Sequence, residues 1–334
     1  MSGKVFVIAE AGVNHNGDLE QAKRLIQIAV EAKADAVKFQ TFNASLLATK
    51  YAEKAEYQKI SSKENTQLEM LKKLELSADD HVVLMDYCKE RNIQFLSTPF
   101  DHKSINLLHT LGLKIFKLPS GEITNLPYLR HVGSLGKKII ISTGMSTMNE
   151  VAAALELLVE AGTRKKDIVV LHTTTAYPCP IEEVNLLAMK TIENELGVKV
   201  GYSDHTTGIE VAIAATALGA SVIEKHFTIS RDLPGPDHKS SLEPEELAKM
   251  ISAIRLISKA LGDGQKIPSK SEMKNQLLVR KSIVAKNFIK KGEFLTENNL
   301  TVKRPGSGIS PMKWEEIVGR KAVSDFEPDQ IITI

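Results

Sequence analysis

Short apolar runs alternate with amphipathic segments through the first 260 residues of the chain. Each run has five or six residues and is rich in Val, Ile, Leu or Phe, as in a parallel sheet that is covered on both faces. The pattern predicts strands at eight places, which are Val5–Ala9, Ala36–Gln40, Ile93–Ser97, Lys114–Leu118, Lys138–Ser142, Ile168–His172, Val198–Tyr202 and Ser221–His226.

Amphipathic helices are predicted between these strands, at Leu19–Lys33, Ala78–Arg91, Lys103–Leu111, Met148–Ala161 and Ile209–Leu218. Eight strand–helix units in this length favour a (β/α)₈ TIM barrel of the α/β class over an open doubly wound sheet. No Gly-x-Gly-x-x-Gly motif follows the first strand, which also argues against a dinucleotide-binding fold. We therefore predict a barrel over residues 1–261.

The pattern changes at Gly262. Residues 262–275 are rich in Gly, Pro and polar side chains, which is typical of a linker between domains. Residues 276–334 contain short strand patterns and turns, and no helical period after Gly262 is longer than residues 311–319. We predict a small β-rich domain there. Because it has little room for a core, we expect it to rest on the barrel or on another subunit.

The gap between the second and third predicted strands is long, from Thr41 to Asn92. It contains a polar, charged stretch, Lys50–Thr66, for which two interpretations stay open. One is a lid or partner surface, and the other, slightly favoured, is an ordinary solvated insertion.

Composition and charge argue against several classes of protein. The net charge is only +2 over 334 residues, so no basic face indicates nucleic-acid binding. No apolar run reaches membrane-spanning length, and the start of the chain does not have the pattern of a signal peptide. Two cysteines, Cys88 and Cys179, are too few for a disulfide framework. We expect a reduced, cytoplasmic protein.

Two histidines stand at the ends of consecutive predicted strands. His205 lies in Tyr202-Ser203-Asp204-His205, and His226 ends the next strand. Neighbouring parallel strands lie about 5 Å apart, so both imidazoles can converge on one ion. Neutral imidazole suits divalent transition metals. We predict a metal site at His205 and His226; the alternative is two unrelated polar residues at strand ends.

Polar side chains occur at the carboxyl end of every predicted strand, where TIM barrels carry their chemistry. Such residues at one strand end are usually solvated loop, but their presence at all eight favours an active site. They include Glu10, Lys38, Gln40, Thr98, Ser120, Glu122, Ser142, Tyr177, Ser203, His205 and His226.

With these residues in place, the whole chain resembles the sialic acid synthase family, which includes legionaminic acid synthases. Any one shared motif is weak, but their order along the chain is specific. The motifs are Glu10-Ala11-Gly12-Val13-Asn14-His15-Asn16-Gly17, Val37-Lys38-Phe39-Gln40-Thr41-Phe42, Ser97-Thr98-Pro99-Phe100-Asp101, Pro119-Ser120-Gly121-Glu122, Ser142-Thr143-Gly144-Met145, Tyr202-Ser203-Asp204-His205, Glu224-Lys225-His226-Phe227-Thr228, Gly235-Pro236-Asp237-His238 and Lys303-Arg304-Pro305-Gly306.

The resemblance implies a barrel followed by a small antifreeze-like (SAF) domain. It also implies a homodimer in which that domain caps the partner's barrel. The implied activity is a transferase reaction that condenses phosphoenolpyruvate with an N-acetylated hexose. N-acetylmannosamine is the favoured acceptor, which would give N-acetylneuraminate and phosphate. The implied cofactor is a divalent metal, with Mn²⁺ ahead of Mg²⁺ and Co²⁺.

The same resemblance implies a role for each of the residues at the strand ends. Phosphoenolpyruvate carries a phosphate and a carboxylate, so its binding needs cations and hydroxyl donors. The implied phosphoenolpyruvate-binding residues are Lys38, Thr98, Ser120, Ser142 and Ser203, and the implied catalytic residues are Glu10, Gln40 and Glu122. The implied sugar-binding residues are Tyr177, Asp237 and, from the other subunit, Arg304, while His205 and His226 would hold the metal.

Alternatives remain open at this point. The chain departs from common family patterns at Thr174-Thr175-Ala176-Tyr177, where sialic acid synthases often carry Asn near 175 and legionaminic acid synthases often carry Glu at 176. A legionaminic or other nonulosonic acid synthase is therefore the second hypothesis. A Schiff-base aldolase that uses Lys38, Lys117 or Lys225 is a third. A binding protein that acts through its small domain, as antifreeze proteins do, is disfavoured by the polar strand ends.

Overall fold

The first unit of the chain, which ends at Asp263, is a barrel of eight parallel strands. In this computed structural model the described residues are 4–55 and 64–334. The strands are β1 Phe6–Gly12, β2 Ala36–Thr41, β3 Gln94–Pro99, β4 Ile115–Leu118, β5 Lys138–Ser142, β6 Ile168–His172, β7 Lys199–Asp204 and β8 Val222–His226. Their hydrogen-bonded order is β3-β2-β1-β8-β7-β6-β5-β4, and β3 and β4 at its two ends lie side by side. The predicted (β/α)₈ barrel is confirmed.

Helices surround the barrel, and several begin at a polar residue that caps them. Asp18, Ser77 and Thr147 accept hydrogen bonds from backbone N–H groups of the first helical turn, which otherwise have no partner. The five helices named from the sequence are present within two residues of their predicted ends. Within the described residues, the helices of this unit are α1 Leu19–Glu31, α2 Ala44–Leu47, α3 Gln67–Lys72, α4 Ala78–Glu90, α5 His102–Thr110, α6 Leu126–Ser134, α7 Met148–Glu160, α8 Ala188–Leu196, α9 Glu210–Ala217 and α10 Pro244–Ala260.

Side-chain alternation along each strand decides which residues can reach the barrel mouth. On β8, Val222 packs inside the barrel, whereas Ile223 packs in the outer layer against the helices. Successive side chains of a strand point to opposite faces. Glu224 and His226 therefore share the inner face with Val222, and Lys225 points outward, where it pairs with Asp204.

The long segment between β2 and β3 is partly helical. It contains α2 and α3 ahead of α4, and α3 is capped by Thr66, which accepts from the Glu69 backbone N–H. Part of the stretch Lys50–Thr66, for which a lid or partner surface was considered, lies outside the described residues. Helices α2 and α3 flank that stretch, contact each other and share an apolar cluster, and both interpretations of Lys50–Thr66 stay predictions.

The second unit, Gly264–Ile334, has its own small core. Its elements are α11 Lys270–Val279, β9 Ser282–Ala285, β10 Leu300–Lys303 and α12 Trp314–Ile317, with β9 and β10 antiparallel. The core side chains come from the two strands, from α12 and from the turns of this unit. They are Ile283, Ala285, Ile289, Leu295, Leu300, Ile317, Ala322, Phe326 and Ile332.

The expectation that no long helix follows Gly262 is wrong. Helix α11 starts at Lys270, inside the segment predicted as a linker. Ser269 and Glu272 form a reciprocal capping box that starts the helix, a signal that the sequence carries. No residue of α11 is buried, so it lacks the apolar stripe by which amphipathic helices are recognised. Among all helices of the described residues, none is long and apolar enough to cross a membrane.

Gly201→Ala is expected to destabilise the barrel by about 1–3 kcal/mol, the usual effect of overpacking a core. An added Cβ would lie 2.4 Å from the Val222 carbonyl oxygen and 2.6 Å from a methyl carbon of Leu171. The midpoint of urea unfolding measures the change. Gly121→Ala is the control, since its Cβ would meet nothing within 4 Å. Equal midpoints for both variants and the wild type would contradict the expectation.

Candidate active site

A cavity of about 330 Å³ opens at the carboxyl ends of the barrel strands. Most residues predicted for the site line it, although they come from all eight strands or the loops after them. They are Glu10, Lys38, Gln40, Thr98, Ser120, Ser142, Tyr177, Ser203, His205, His226 and Asp237. The topology therefore gathers side chains that are far apart in sequence into one space.

Lys38 is the cation at the centre of this cavity. It is 3% exposed, and its Nζ donates to Thr98 Oγ1 at 2.8 Å and lies 2.9 Å from Glu10 Oε2. Burial alone would lower the pKa of Lys38, but Glu10 and Glu224 outweigh burial and raise it. The lysine is therefore a fixed positive charge at the barrel mouth.

Glu10 is buried beside Lys38, and burial and the lysine charge shift the pKa of Glu10 in opposite directions. Burial raises the pKa of Glu10 to about 7 although Lys38 acts in the opposite direction, and the neighbouring Glu224 adds to the increase. A carboxyl group with a pKa near the working pH can both give and take a proton. This is a property of a general acid–base group.

Lys117 and Glu224 also line the cavity, and the predicted site did not include either of them. Glu224 Oε1 accepts from Ser203 Oγ at 2.9 Å and lies 3.4 Å from Lys117 Nζ. Burial opposes ionisation of Glu224, but Lys117 and Lys38 lower its pKa to about 2. Glu224 thus links the two lysines. Its position two residues before His226 on one strand was the signal that could have identified it.

Hydroxyl groups and a backbone N–H complete the polar part of the cavity. Ser120 Oγ accepts from the Gly144 N–H at 2.9 Å, and Ser142 Oγ, 3% exposed, has no hydrogen-bond partner among the described residues. A Cβ at Gly144 would lie 2.0 Å from Thr175 Oγ1, so only glycine fits there. Hydroxyls and amides beside two lysines form a site suited to an anion.

The two predicted metal ligands come together at the cavity. The rings of His205 and His226 have centroids 5.7 Å apart. His205 Nδ1 donates to the Thr174 carbonyl at 2.7 Å, which leaves the Nε2 lone pair available. Burial lowers the pKa of His205 to about 4 and that of His226 well below its usual value, so both rings are neutral.

These donors fit a divalent transition metal. The buried Nδ1 of His226 makes no hydrogen bond within residues 4–55 and 64–334. In the same ranges no group of three or more His, Cys, Asp or Glu side chains is arranged around a common point. A metal held by His205 and His226 would therefore keep several positions open, as a catalytic ion does.

Tyr177 and Asp237 border the histidine pair. The Tyr177 ring lies 4.2 Å from the His205 ring and 5.9 Å from the His226 ring, between centroids. Asp237 Oδ2 is 3.9 Å from His226 Nδ1, and burial raises the pKa of Asp237 to about 6. Both residues are thus positioned where a ligand of the histidine pair would be contacted.

Glu122 does not line the cavity, unlike the other carboxylate that was predicted to be catalytic. Its Oε2 accepts from Asn125 Nδ2 at 2.5 Å, because the short turn Ser120–Glu122 directs the side chain toward the start of α6. Lys225, one of the lysines considered for Schiff-base chemistry, is buried against Asp204 at 2.7 Å on the outer face of the barrel.

Arg304 belongs to the second unit. It is exposed, and its Nε donates to the Val279 carbonyl at 3.0 Å, at the end of α11. The predicted role of Arg304 in sugar binding stays a prediction.

Comparison with known proteins identifies the family. Residues 25–266 match the NeuB family, and residues 280–334 match the SAF domain. The chain belongs to the NeuB family. The predicted relationship to sialic acid synthases and the predicted antifreeze-like domain are both confirmed.

Members of the NeuB family with stated activities are similar to this chain over almost its whole length. It is 54% identical to the N,N'-diacetyllegionaminic acid synthase of Campylobacter jejuni over 98% of this chain and 99% of that protein. The corresponding protein of Legionella pneumophila is 49% identical over 95% of this chain and 90% of that protein. The crystal structure of an N-acetylneuraminic acid synthetase from Leptospira borgpetersenii is 34% identical, with a TM-score of 0.74 over 82% of this chain and 90% of that chain.

Proposed function

We propose that this chain condenses phosphoenolpyruvate with the open-chain aldehyde of an N-acylated hexose, giving a nonulosonic acid and phosphate. The observation that carries the proposal is one cavity that combines two buried lysines, several hydroxyls and two neutral imidazoles. The first two groups suit an anion, and the imidazoles suit a metal that binds a carbonyl oxygen. Related proteins named as legionaminic and neuraminic acid synthases support the same reaction class.

The anionic substrate would occupy the end of the cavity that holds Lys38 and Lys117. Lys38 supplies a fixed charge, and the hydroxyls of Thr98, Ser120 and Ser142 supply donors in a geometry that is already formed. The free Ser142 hydroxyl is available for a phosphate or carboxylate oxygen. Prearranged donors of this kind act without reorganisation during the reaction.

The aldehyde of the acceptor would lie near His205 and His226, which would hold the divalent ion. When bound, such an ion supplies Lewis acidity toward a carbonyl oxygen. Tyr177 and Asp237 border this pair and are proposed to orient the sugar. These side chains would then set the position of the acceptor aldehyde relative to carbon 3 of phosphoenolpyruvate.

Glu10 is proposed to handle the proton of the attacking water. Carbon 3 forms a bond to the aldehyde carbon, and water then adds at carbon 2, where positive charge has developed. Glu10, with a pKa of about 7, accepts a proton from that water. The former aldehyde oxygen takes the proton that Glu10 accepted and becomes a hydroxyl. Phosphate then leaves with the oxygen that joined it to carbon 2, and the carbon 2 hydroxyl gives its proton to that phosphate as the ketone forms. Gln40 is proposed to orient the water, and we prefer Glu10 to Glu122 as the proton acceptor because Glu122 does not line the cavity.

Two products are compatible with this chemistry. The relatives in Campylobacter and Legionella support N,N'-diacetyllegionaminic acid, whose acceptor hexose carries two acetamido groups. N-acetylneuraminate from N-acetylmannosamine, which the sequence resemblance predicts, is supported by the similarity to the Leptospira structure. We propose the first product, because the sequence identity with its synthases is much higher.

A panel assay tests the proposed function. Purified protein with Mn²⁺ and phosphoenolpyruvate should release phosphate only when an N-acylated hexose is added, and the product mass identifies the sugar. Phosphate release without any acceptor would contradict the condensation. Borohydride trapping with pyruvate tests the Schiff-base alternative. Of the two lysines in the cavity, Lys117 suits this chemistry better, because burial lowers its pKa whereas Glu10 and Glu224 raise the pKa of Lys38.

We also propose a cytoplasmic homodimer in which Arg304 completes the site of the partner subunit. Cys88 and Cys179 are buried free thiols, as expected in a reducing compartment. Arg304→Lys should lower catalytic efficiency by about ten- to a hundredfold, because an ammonium lacks the fixed donor geometry of a guanidinium. Arg320→Ala, at another exposed arginine of the same unit, is the control and should stay active.

Mixing two inactive variants, Lys38→Met and Arg304→Ala, tests this arrangement. In a mixed dimer, one subunit keeps Lys38 and the other keeps Arg304. If Arg304 acts across the dimer, the barrel with Lys38 receives an intact Arg304 from its partner, and activity should partly return. If no activity returns after subunit exchange has been demonstrated by another method, Arg304 does not act in trans.

A further inference from the structure

A buried ion pair lies directly behind the two histidines, and no step of the proposed condensation uses it. Asp204 ends β7, and the strand register places it opposite Lys225 on β8. Lys225 Nζ lies 2.7 Å from Asp204 Oδ2, and the two side chains are 1% and 0% exposed. Asp204 directly precedes His205 in the chain, and Lys225 directly precedes its neighbour His226. The pair therefore joins the two strand ends that carry the predicted metal ligands.

The same pair also holds the turn that contains His205. Asp204 Oδ1 accepts hydrogen bonds from the Thr206 backbone N–H at 2.9 Å and from Thr206 Oγ1 at 2.8 Å. Lys225 Nζ donates to the Thr206 carbonyl oxygen at 2.5 Å. Hydrogen bonds to charged groups are shorter and stronger than those between neutral groups. The residues on both sides of His205 are thus fixed by one ammonium and one carboxylate.

Stability alone does not require charges at this place. Taking two ions out of water is unfavourable, and apolar residues of similar volume often replace a buried pair without loss of stability. The pair faces the layer between strands and helices, where Ile223 of β8 packs among apolar side chains. An apolar pair would suit this layer as well. The charges and their fixed hydrogen bonds instead suit a role in orientation.

The two histidines depend on accurate placement of their strands. Within residues 4–55 and 64–334, no group of three or more His, Cys, Asp or Glu side chains could hold a metal ion. The affinity of a two-ligand site therefore depends on how the two rings stand to each other. A hydrogen bond from His205 Nδ1 to the Thr174 carbonyl orients one ring. The buried Nδ1 of His226 has no such partner among the described residues, so its ring relies more on the backbone that carries it.

We propose that the ion pair of Asp204 and Lys225 positions the two histidines for the divalent ion. This inference rests on the proposed condensation and its metal, and it adds the residues that prepare the site. Neither side chain of the pair lines the cavity, so both act through the backbone of β7 and β8. They are positioning residues. Replacing residues that support metal ligands typically lowers metal affinity by about ten- to a hundredfold.

Titration with Mn²⁺, followed by electron paramagnetic resonance, tests this role without turnover. The double variant Asp204→Leu, Lys225→Met removes both charges and leaves no buried ion without its partner. It should bind Mn²⁺ about tenfold more weakly or worse, with little change in the Michaelis constant for phosphoenolpyruvate. Raising the Mn²⁺ concentration should restore its turnover, because only the metal affinity is lowered.

Thr206→Val is the milder variant, and it decides the question if the double variant does not fold. It keeps the shape of the side chain and loses the hydrogen bond to Asp204 Oδ1. It should weaken Mn²⁺ binding by at least about twofold, the lower limit for one hydrogen bond. Wild-type Mn²⁺ affinity in Thr206→Val, or in a folded double variant, would overturn the inference.

Asp35→Asn is the control for a general loss of stability. Asp35 pairs with Arg255 at 2.5 Å and accepts from the Val7 backbone N–H, at the amino end of the strands and away from the cavity. Its variant should unfold at lower urea but bind Mn²⁺ as the wild type does. An equal loss of Mn²⁺ affinity in Asp35→Asn would make the effect of the Asp204 pair merely structural and overturn the inference.

The same titration separates this inference from the proposed function. A wild type that releases phosphate with a hexose but binds no Mn²⁺ would overturn the positioning role and leave the condensation in place. A wild type that binds Mn²⁺, with the expected losses in the variants, but condenses no hexose would contradict the proposed function and not the positioning role.

Discussion

Lys38→Met should lower kcat/KM for phosphoenolpyruvate by about thirtyfold to several thousandfold. Lys38 is 3% exposed and holds Glu10 and Thr98 within 2.9 Å of its Nζ. Removing one member of a buried, hydrogen-bonded charge pair costs about 2–5 kcal/mol, and 1.36 kcal/mol corresponds to about a factor of ten in rate. The Michaelis constant for the sugar should change little. Initial rates at varied phosphoenolpyruvate and fixed sugar measure the effect.

The matched control for this variant is Lys190→Met. Lys190 forms an exposed pair with Glu193 on α8, and losing an exposed pair should leave the kinetics unchanged. A Lys38→Met protein with both the turnover number and the Michaelis constant near wild type would make Lys38 a structural residue. Circular dichroism of the folded variant excludes global unfolding as the cause of lost activity.

His226→Ala should abolish metal-stimulated turnover, with a loss of about a thousandfold. Lewis-acid activation contributes several kcal/mol, and about 4 kcal/mol corresponds to this factor. The buried His226 Nδ1 has no other partner among the described residues, so its ring is available to a metal. Chelator should inactivate the wild type, and added Mn²⁺ should restore it. Electron paramagnetic resonance should detect weaker Mn²⁺ binding by the variant, independently of turnover.

His109→Ala is the control for the metal experiment, because His109 is an exposed residue near the end of α5 and lies outside the cavity. Its variant should bind Mn²⁺ as the wild type does. Full activity of the wild type in excess chelator would remove the metal from the mechanism, and unchanged Mn²⁺ binding by His226→Ala would remove this histidine from the metal site.

The barrel and much of its mouth could be predicted from the sequence because the signals are local. A buried parallel strand is a short apolar run, and the polar residues in its carboxyl-terminal half lie at the active face. Lys38, Ser142 and His226 follow this rule and line the cavity. Where the chain turns back at a strand end, the rule fails. Glu122 follows β4 but faces Asn125.

Other parts of the site depend on contacts between distant residues. The pairing of Glu224 with Lys117 joins β8 to β4. Alternation along β8 could have placed Glu224 at the cavity, but the sequence around it does not reveal Lys117 as its partner. The same holds for the apolar cluster of Val13, Phe42, Met70 and Leu74, since α3 has only six residues and its buried face is defined by packing on other elements. Helix α11 was missed for the opposite reason, because no contact buries any of its residues.

Isotopic labelling of the bridging oxygen tests the proposed condensation most directly. Phosphoenolpyruvate labelled with ¹⁸O between carbon 2 and phosphorus is incubated with the protein, Mn²⁺ and the diacetamido hexose. Mass spectrometry then measures the label in phosphate and in the sugar acid. Water attack at carbon 2, with Glu10 accepting its proton, predicts a nine-carbon acid without the label and phosphate that carries it. Unlabelled phosphate, with the ¹⁸O retained in the organic product, would contradict this account.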